Sequence, residues 1–210
     1  KMNKNYISPF KPNNFIKFKS KYFKAYTFNA GFKKYNDDLL IIVFNKLVKQ
    51  SAVYTKSSTP AAPIIWNKNI IHNLCKVLIV NSGNANAFTG KKGLNQIKKY
   101  AEVASKIFDC DLNQVFISST GIIGEQLNSN LIIAKLRIIK NSKSKNILNA
   151  AKAIMTTDTY PKIASTIVNI KKQKIKIFGI AKGSGMIAPR MGTMLSYIFI
   201  DIPLSKKELN

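Results

Sequence analysis

Branched apolar runs at Leu39–Phe44, Lys76–Val80, Val115–Ile117, Ser165–Ile170 and Ile175–Ile180 read as strands, and stretches of helical periodicity fall between them. This alternation restricts the fold more than any other feature. Leu94, Ile97, Ala101, Ala104, Ile107 and Phe108 recur at three and four, predicting one apolar stripe on a helix that begins after "TGKKG". Further helical patterns cover Leu131–Ile139 and Ile147–Met155, joined by the polar connector "NSKSKN". "KKQK" at Lys171–Lys174 reads as a hairpin loop, and "MLSYIFIDI" alternates like a strand. Together these elements predict an α/β fold, or α+β sandwich, with a mixed sheet flanked by helices. The chain closes on "DIPLSKKELN", where Ser205 and Glu208 announce a helix start, so it reads as the front portion of something longer.

The formal charge of +25 would ordinarily point to nucleic acid or an anionic membrane. Only Arg137 and Arg190 among the 34 basic residues are arginine, however, and base readout and bidentate phosphate contacts favour arginine. Lysines run through the whole chain, which fits a composition bias better than a dedicated surface and makes nucleic acid an unfavoured partner. The best nucleic-acid candidate is "KPNNFIKFKSKYFKAYTF", which interleaves Lys with Phe and Tyr; two alternating strand faces explain it equally well. Cys75 and Cys110 form neither a C-x-x-C nor a disulfide framework and read as buried thiols in a reducing compartment. The opening "KMNKNYISPF" lacks an apolar signal core, and no run approaches the roughly 18 apolar residues of a membrane span. The expectation is a soluble, cytoplasmic protein.

Catalytic groups are scarce. His72, the single histidine, sits among apolar residues in "NIIHNLCK", so a Ser-His-Asp triad is not expected. The nine acidic residues make one close pair, Asp37 and Asp38, which reads as a turn before a strand, and metal cages or paired-carboxylate hydrolysis find little to use. "AKGSGMIAPRMGTML" (181–195) is glycine-rich, but it lacks both G-x-x-x-x-G-K-[ST] and G-x-G-x-x-G and leads into a strand rather than a helix. Hydroxyls beside glycine remain. In "ISSTGIIGEQL", Thr120 and Gly121 follow a strand, where successive N–H groups can stabilise an oxyanion; a tight strand-to-helix turn capped by Thr fits the same spacing. A threonine nucleophile without histidine can use its own α-amine as base if it is N-terminal. Thr193 would become so if its hydroxyl attacked the Gly192 carbonyl, moving the acyl group from nitrogen to oxygen before water cut the ester. "PRMGTM" has the small residue and permissive backbone such a shift needs.

Five separated motifs, taken in order, resemble the ornithine acetyltransferase family, which moves acetyl from N-acetylornithine to glutamate in arginine biosynthesis. "SAVYTKSSTPAAPI" resembles the family's early strand and Ala-Ala-Pro turn, and "VNSGNANAFTG" its Asn/Gly-rich loop before a helix. "SSTGIIGEQL", "AIMTTDTYPK" and "GIAKGSGMIAPRMGTML" follow at family-like separations. The resemblance covers about Gly31 to Asp201. It implies that Thr193 is the nucleophile, freed by self-cleavage between Gly192 and Thr193, and that Thr120 and Gly121 form the oxyanion pair. Thr159 and Lys182, with Thr193, fall on substrate-binding positions; Asp158 is a candidate for positioning the Thr159 loop, with no family role carried onto it.

Double displacement is implied, through an acetyl-threonine intermediate, with no cofactor and with acetyl-CoA as a possible acetyl donor. Gly192 stands where the family commonly has alanine, and Arg190 where asparagine is common. Residues 1–192 correspond to an alpha-chain-like region and 193–210 to the start of a beta-chain-like region whose remainder is missing from this sequence. The assembly implied is a heterotetramer of two alpha and two beta chains. Two alternatives stay open: a remnant without activity, or a lysine-rich nucleic-acid-binding protein on the same fold.

Overall fold

The structure, a computed structural model, describes residues 22–71, 73–170, 173–183, 194–202 and 204–209. Strands β1 (Phe23–Phe28), β2 (Leu39–Lys49), β3 (Leu74–Asn84) and β4 (Val115–Ile122) form one sheet in chain order. β1–β2 and β2–β3 are antiparallel, and β3–β4 is parallel. A parallel neighbour needs a crossover, which the helix α2 (Gly90–Phe108) provides. The sheet is therefore mixed, as the pattern predicts.

Both faces of this sheet are covered, which is why its strands read as continuous apolar runs rather than alternating ones. Leu39 and Ile41 of β2 face α2, the short helix α1 (Ala62–Lys68) and α3 (Ser129–Ile138), packing with Ile79, Ile97, Tyr100, Ile117 and Leu136. Leu40, Ile42 and Phe44 face the other way, toward α4 (Ile147–Ala153) and a second sheet. That sheet is antiparallel and runs β5 (Lys162–Ile170), β6 (Gln173–Lys182), β7 (Leu195–Ile200). Phe178 of β6 and Phe199 of β7 stack at 4.7 Å between ring centroids, and Phe23 of β1 closes on Phe199 at 5.1 Å, so aromatic contacts join the two sheets.

Several expectations need correction. Residues 51–60, expected to include an early strand, hold none; Ala61 instead caps α1, with Pro63 in its first turn. Gln173 and Lys174 belong to β6 rather than to a loop, leaving 171–172, outside the described residues, between β5 and β6. Beyond β7, α5 (Lys206–Leu209) starts with the expected capping pair: Ser205 N–H donates to Glu208 Oε2 at 2.7 Å, and Glu208 N–H returns to Ser205 Oγ at 3.3 Å. Of the N-terminal Lys/aromatic stretch, residues 11–21 lie outside the described residues and Phe23–Phe28 forms β1. No helix among the described residues is long and apolar enough to cross a membrane.

Candidate functional site

At the carboxyl end of the parallel pair, Gly83 of β3 stands opposite Gly121 of β4. Their φ values are +106° and +135°, a region that L side chains rarely adopt. A Cβ added to Gly121 would lie 2.3 Å from the Gly83 carbonyl carbon, and one added to Gly83 would lie 2.7 Å from the Phe32 carbonyl oxygen. Backbone meets backbone here with no room for a side chain. Thr120 and Gly121 are both within β4, so the capping alternative for Thr120 falls away: α3 starts later, with Asn128 accepting from Asn130 N–H at 3.1 Å.

The Asn/Gly-rich loop after β3 braces this strand end. Asn81 Nδ2 donates to the Asn84 carbonyl and Ser119 Oγ to Asn81 Oδ1; Asn84 Oδ1 accepts from Asn86 N–H, and Thr89 Oγ1 donates to Asn86 Oδ1. These buried amides satisfy one another and the turn into α2.

Across from the strand end comes Lys182, the last residue of β6. Its side chain is buried, and Nζ donates to Thr120 Oγ1 at 3.0 Å and to Thr156 Oγ1 at 2.6 Å. An ammonium has three donors, and each hydroxyl that accepts from it keeps its own proton to donate elsewhere. Burial pushes the Lys182 pKa below its ordinary value; the charge of Asp158 opposes that shift and the charge of Lys162 adds to it.

Asp158 sits behind this contact with its side chain fully buried. Oδ1 accepts from Gly183 N–H at 2.8 Å and from Lys162 Nζ at 2.5 Å, while Oδ2 accepts from Thr156 N–H at 3.2 Å. Burial alone would raise its pKa. The Lys162 hydrogen bond, the two backbone N–H groups and the Lys162 charge outweigh it and hold the carboxyl below its ordinary value. A third lysine, Lys33, donates from Nζ to the Met155 carbonyl at 3.0 Å. Burial lowers its pKa against the pull of Asp38 and Asp37, with Lys182 lowering it further. Lys33 belongs to a loop fixed by Asp38, whose buried carboxylate accepts from the N–H groups of Ala30, Gly31 and Lys33.

The fold thus brings together Thr120, Gly121 and Lys182 of the expected set. Thr159 is exposed, and the hydroxyl that meets Lys182 is that of Thr156. Gly192, Thr193, Arg190 and His72 lie outside the described residues. The residues on either side of 184–193 are described: Met194, which follows Thr193, packs on Gly183, with its Cα 4.0 Å from where a Cβ on Gly183 would be. Lys182 pairs with Leu195 in the β6–β7 ladder. Nothing in the sequence singled out Thr156 or Lys33, although Thr156 is part of the "TTDTYPK" motif. The thiols are poorly suited to nucleophilic work. Burial pushes Cys110, only half-buried rather than buried as expected, up to about 11, and pushes the buried Cys75 higher still. Among the described residues no group of three His, Cys, Asp or Glu side chains is placed to hold a metal ion.

Residues 24–210 match the ArgJ family. The arginine biosynthesis bifunctional protein ArgJ of Bradyrhizobium diazoefficiens is 43% identical over 186 residues, covering 87% of this chain and 45% of that protein. The protein of the same name from Rhizobium meliloti is 40% identical over 207 residues, covering 97% of this chain and 50% of the relative. The chain therefore spans about half the length of the curated relatives it matches. Among solved structures, arginine biosynthesis bifunctional protein argJ from Bacillus halodurans aligns with a TM-score of 0.74 at 32% identity, covering 83% of this chain and 92% of that one. Ornithine acetyltransferase from Mycobacterium tuberculosis, complexed with ornithine, aligns with a TM-score of 0.66 at 26% identity, covering 83% and 93%. By sequence along nearly its whole length and by fold, this chain belongs to the ArgJ family.

Proposed function

We propose that this chain carries the acyl-transfer site of a glutamate N-acetyltransferase that takes acetyl from N-acetylornithine, with Thr193 as the nucleophile. The observation that carries the reading is the Lys182 ammonium held on the Thr120 hydroxyl, one residue from the Gly183–Met194 contact that brackets residues 184–193. It supplies a buried cation for the α-carboxylate of an acetylated amino acid and a polarised hydroxyl for the oxyanion, beside the covalent neighbour of Thr193.

In the proposed sequence, Thr193 Oγ attacks the Gly192 carbonyl, the acyl group passes from nitrogen to oxygen, and water hydrolyses the ester, leaving a new carboxylate at Gly192 and a free α-amine on Thr193. That amine then accepts the hydroxyl proton as Oγ attacks the acetyl carbonyl. Thr120 and Gly121 stabilise the tetrahedral oxyanion, and ornithine leaves with the proton. The amine of glutamate attacks the acetyl-threonine ester, forming N-acetylglutamate and restoring the hydroxyl. Thr159, on the rim, contacts substrate. The lengths of the related chains support a cut: the solved chains are covered almost completely by this one, whereas the curated relatives are covered only by half. The reading includes a partner beta chain, an assembly of two alpha and two beta chains in the cytoplasm, no bound cofactor, and acetyl-CoA as an alternative donor.

The test is intact mass and N-terminal sequencing of the protein from its source, followed by Thr193→Ala. Two chains, one ending at Gly192 and one starting at Thr193, are expected, and the substitution should abolish both cleavage and transfer. Transfer that survives in Thr193→Ala would remove the nucleophile assignment.

A further inference from the structure

We propose that Asp158 is a positioning residue of this site: its buried carboxylate ties the Gly183 N–H to the Thr156 N–H and so seats the Lys182 ammonium on the Thr120 and Thr156 hydroxyls. The inference rests on the acyl-transfer reading above. Gly183 directly follows Lys182 at the end of β6, and Thr156 lies in the connection between α4 and β5, just before the point where Lys162 of β5 pairs with Ala181 of β6. Asp158 is the clamp between them, one oxygen on each N–H, at 2.8 Å and 3.2 Å. Lys162, from the start of β5, fills the remaining valence of Oδ1.

Asp158 makes no hydrogen bond to Lys182, so it acts on the ammonium through the backbone it holds and through its charge. Among the described residues, the charged groups facing Lys182 are Asp158 on the α4–β5 connection, Lys162 on β5, and Lys33 on the loop before β2. Asp158 favours the ammonium and Lys162 disfavours it. Removing either charge should therefore move the Lys182 titration, in opposite directions. The shifts read the charges, and the change in KM reads the clamp on the backbone.

The experiment measures kcat and KM for N-acetylornithine across pH, and thermal stability, on the protein as its source makes it. Asp158→Asn should raise KM about tenfold, the loss of roughly one charge-assisted hydrogen bond, with a smaller change in kcat. It should also move the alkaline limb of kcat/KM to lower pH. Lys162→Met should move that limb to higher pH. Lys182→Met serves as the reference and should lose the limb altogether. If Lys182→Met weakens the substrate but both other variants keep the wild-type KM and limb, the positioning role falls and the acyl-transfer reading survives. If Lys182→Met leaves KM unchanged, the substrate-binding assignment beneath the inference falls with it. Should Asp158→Asn fail to fold, Asp158→Glu decides, because it keeps the charge and changes the reach to the Gly183 and Thr156 N–H groups: a raised KM supports the inference and a wild-type KM overturns it.

Discussion

Lys182 and Thr120, 62 residues apart in the chain and on different sheets, meet at 3.0 Å between ammonium and hydroxyl in a buried setting. The contact joins the end of an antiparallel strand to the end of a parallel one. Burying a lone ammonium is costly, and this one is accommodated by two hydroxyl acceptors and a nearby carboxylate rather than by a direct ion pair.

Replacing that ammonium separates binding from stability. Lys182→Met keeps the stem and removes the charge, so unfolding free energy should stay within about 1 kcal/mol of the parent or rise, because a buried cation has been exchanged for an apolar group. Acetyl transfer should fall on the order of 100-fold in kcat/KM. Thermal melts and steady-state kinetics on the same preparation check both halves.

The glycine pair tolerates no side chain. Gly121→Ala would put a methyl 2.3 Å from the Gly83 carbonyl carbon at a φ of +135°, and the obstruction is backbone that cannot rotate away. Destabilisation of at least about 3 kcal/mol is expected from strain and overpacking together. Urea denaturation reads it directly, and a variant as stable as the parent would show that the two strand ends stand farther apart.

Acid sensitivity should trace to Asp158. Its folded pKa lies below the ordinary value of 3.8, so its contribution to stability is complete above that pH and disappears as pH falls through the lower folded value. The difference in Tm between the parent and Asp158→Asn should therefore be largest near neutrality and shrink below pH 3.8. A constant difference down to the acid transition would contradict the depressed pKa.

The two thiols should label differently. Cys110 is half-buried with a pKa of about 11, whereas Cys75 is buried with its thiol pushed higher still. Iodoacetamide should modify Cys110 alone in the folded protein, at a rate rising about tenfold per pH unit between neutrality and pH 10. Mass spectrometry after denaturation should then show Cys75 newly reactive.

The strands were legible because both faces of the first sheet are buried, so runs such as Leu39–Phe44 stand out without alternation. α2 was legible for the opposite reason: one face meets the core, and its stripe of Ile97, Ala101 and Ala104 repeats at helical spacing. α1 was not, since seven residues following a long polar stretch and opening on Ala-Pro carry too short a pattern. In the site, Thr120 and Gly121 stood out as a hydroxyl beside glycine after a strand, with a capped turn fitting as well, and Lys182 stood out only through the family resemblance of its motif. Thr156 could not be told from Thr159 by sequence. Lys182 meets Thr156 across 26 residues, and Gly183 meets Asp158 across 25, contacts that no local pattern announces. Lys33 reaches Met155 across 122 residues, and nothing local announces that.

The β6–β7 ladder has a consequence for how this region behaves once broken. Lys182 pairs with Leu195, and the register continues to Ile177 opposite Ile200, so the strands flanking residues 184–193 are zipped together by their own main chains and by the Phe178–Phe199 stack. Covalent continuity through 184–193 is redundant for keeping them side by side. A scission there would yield two polypeptides that share one sheet, held by that ladder and ring stack. The nick would be plain under denaturing conditions.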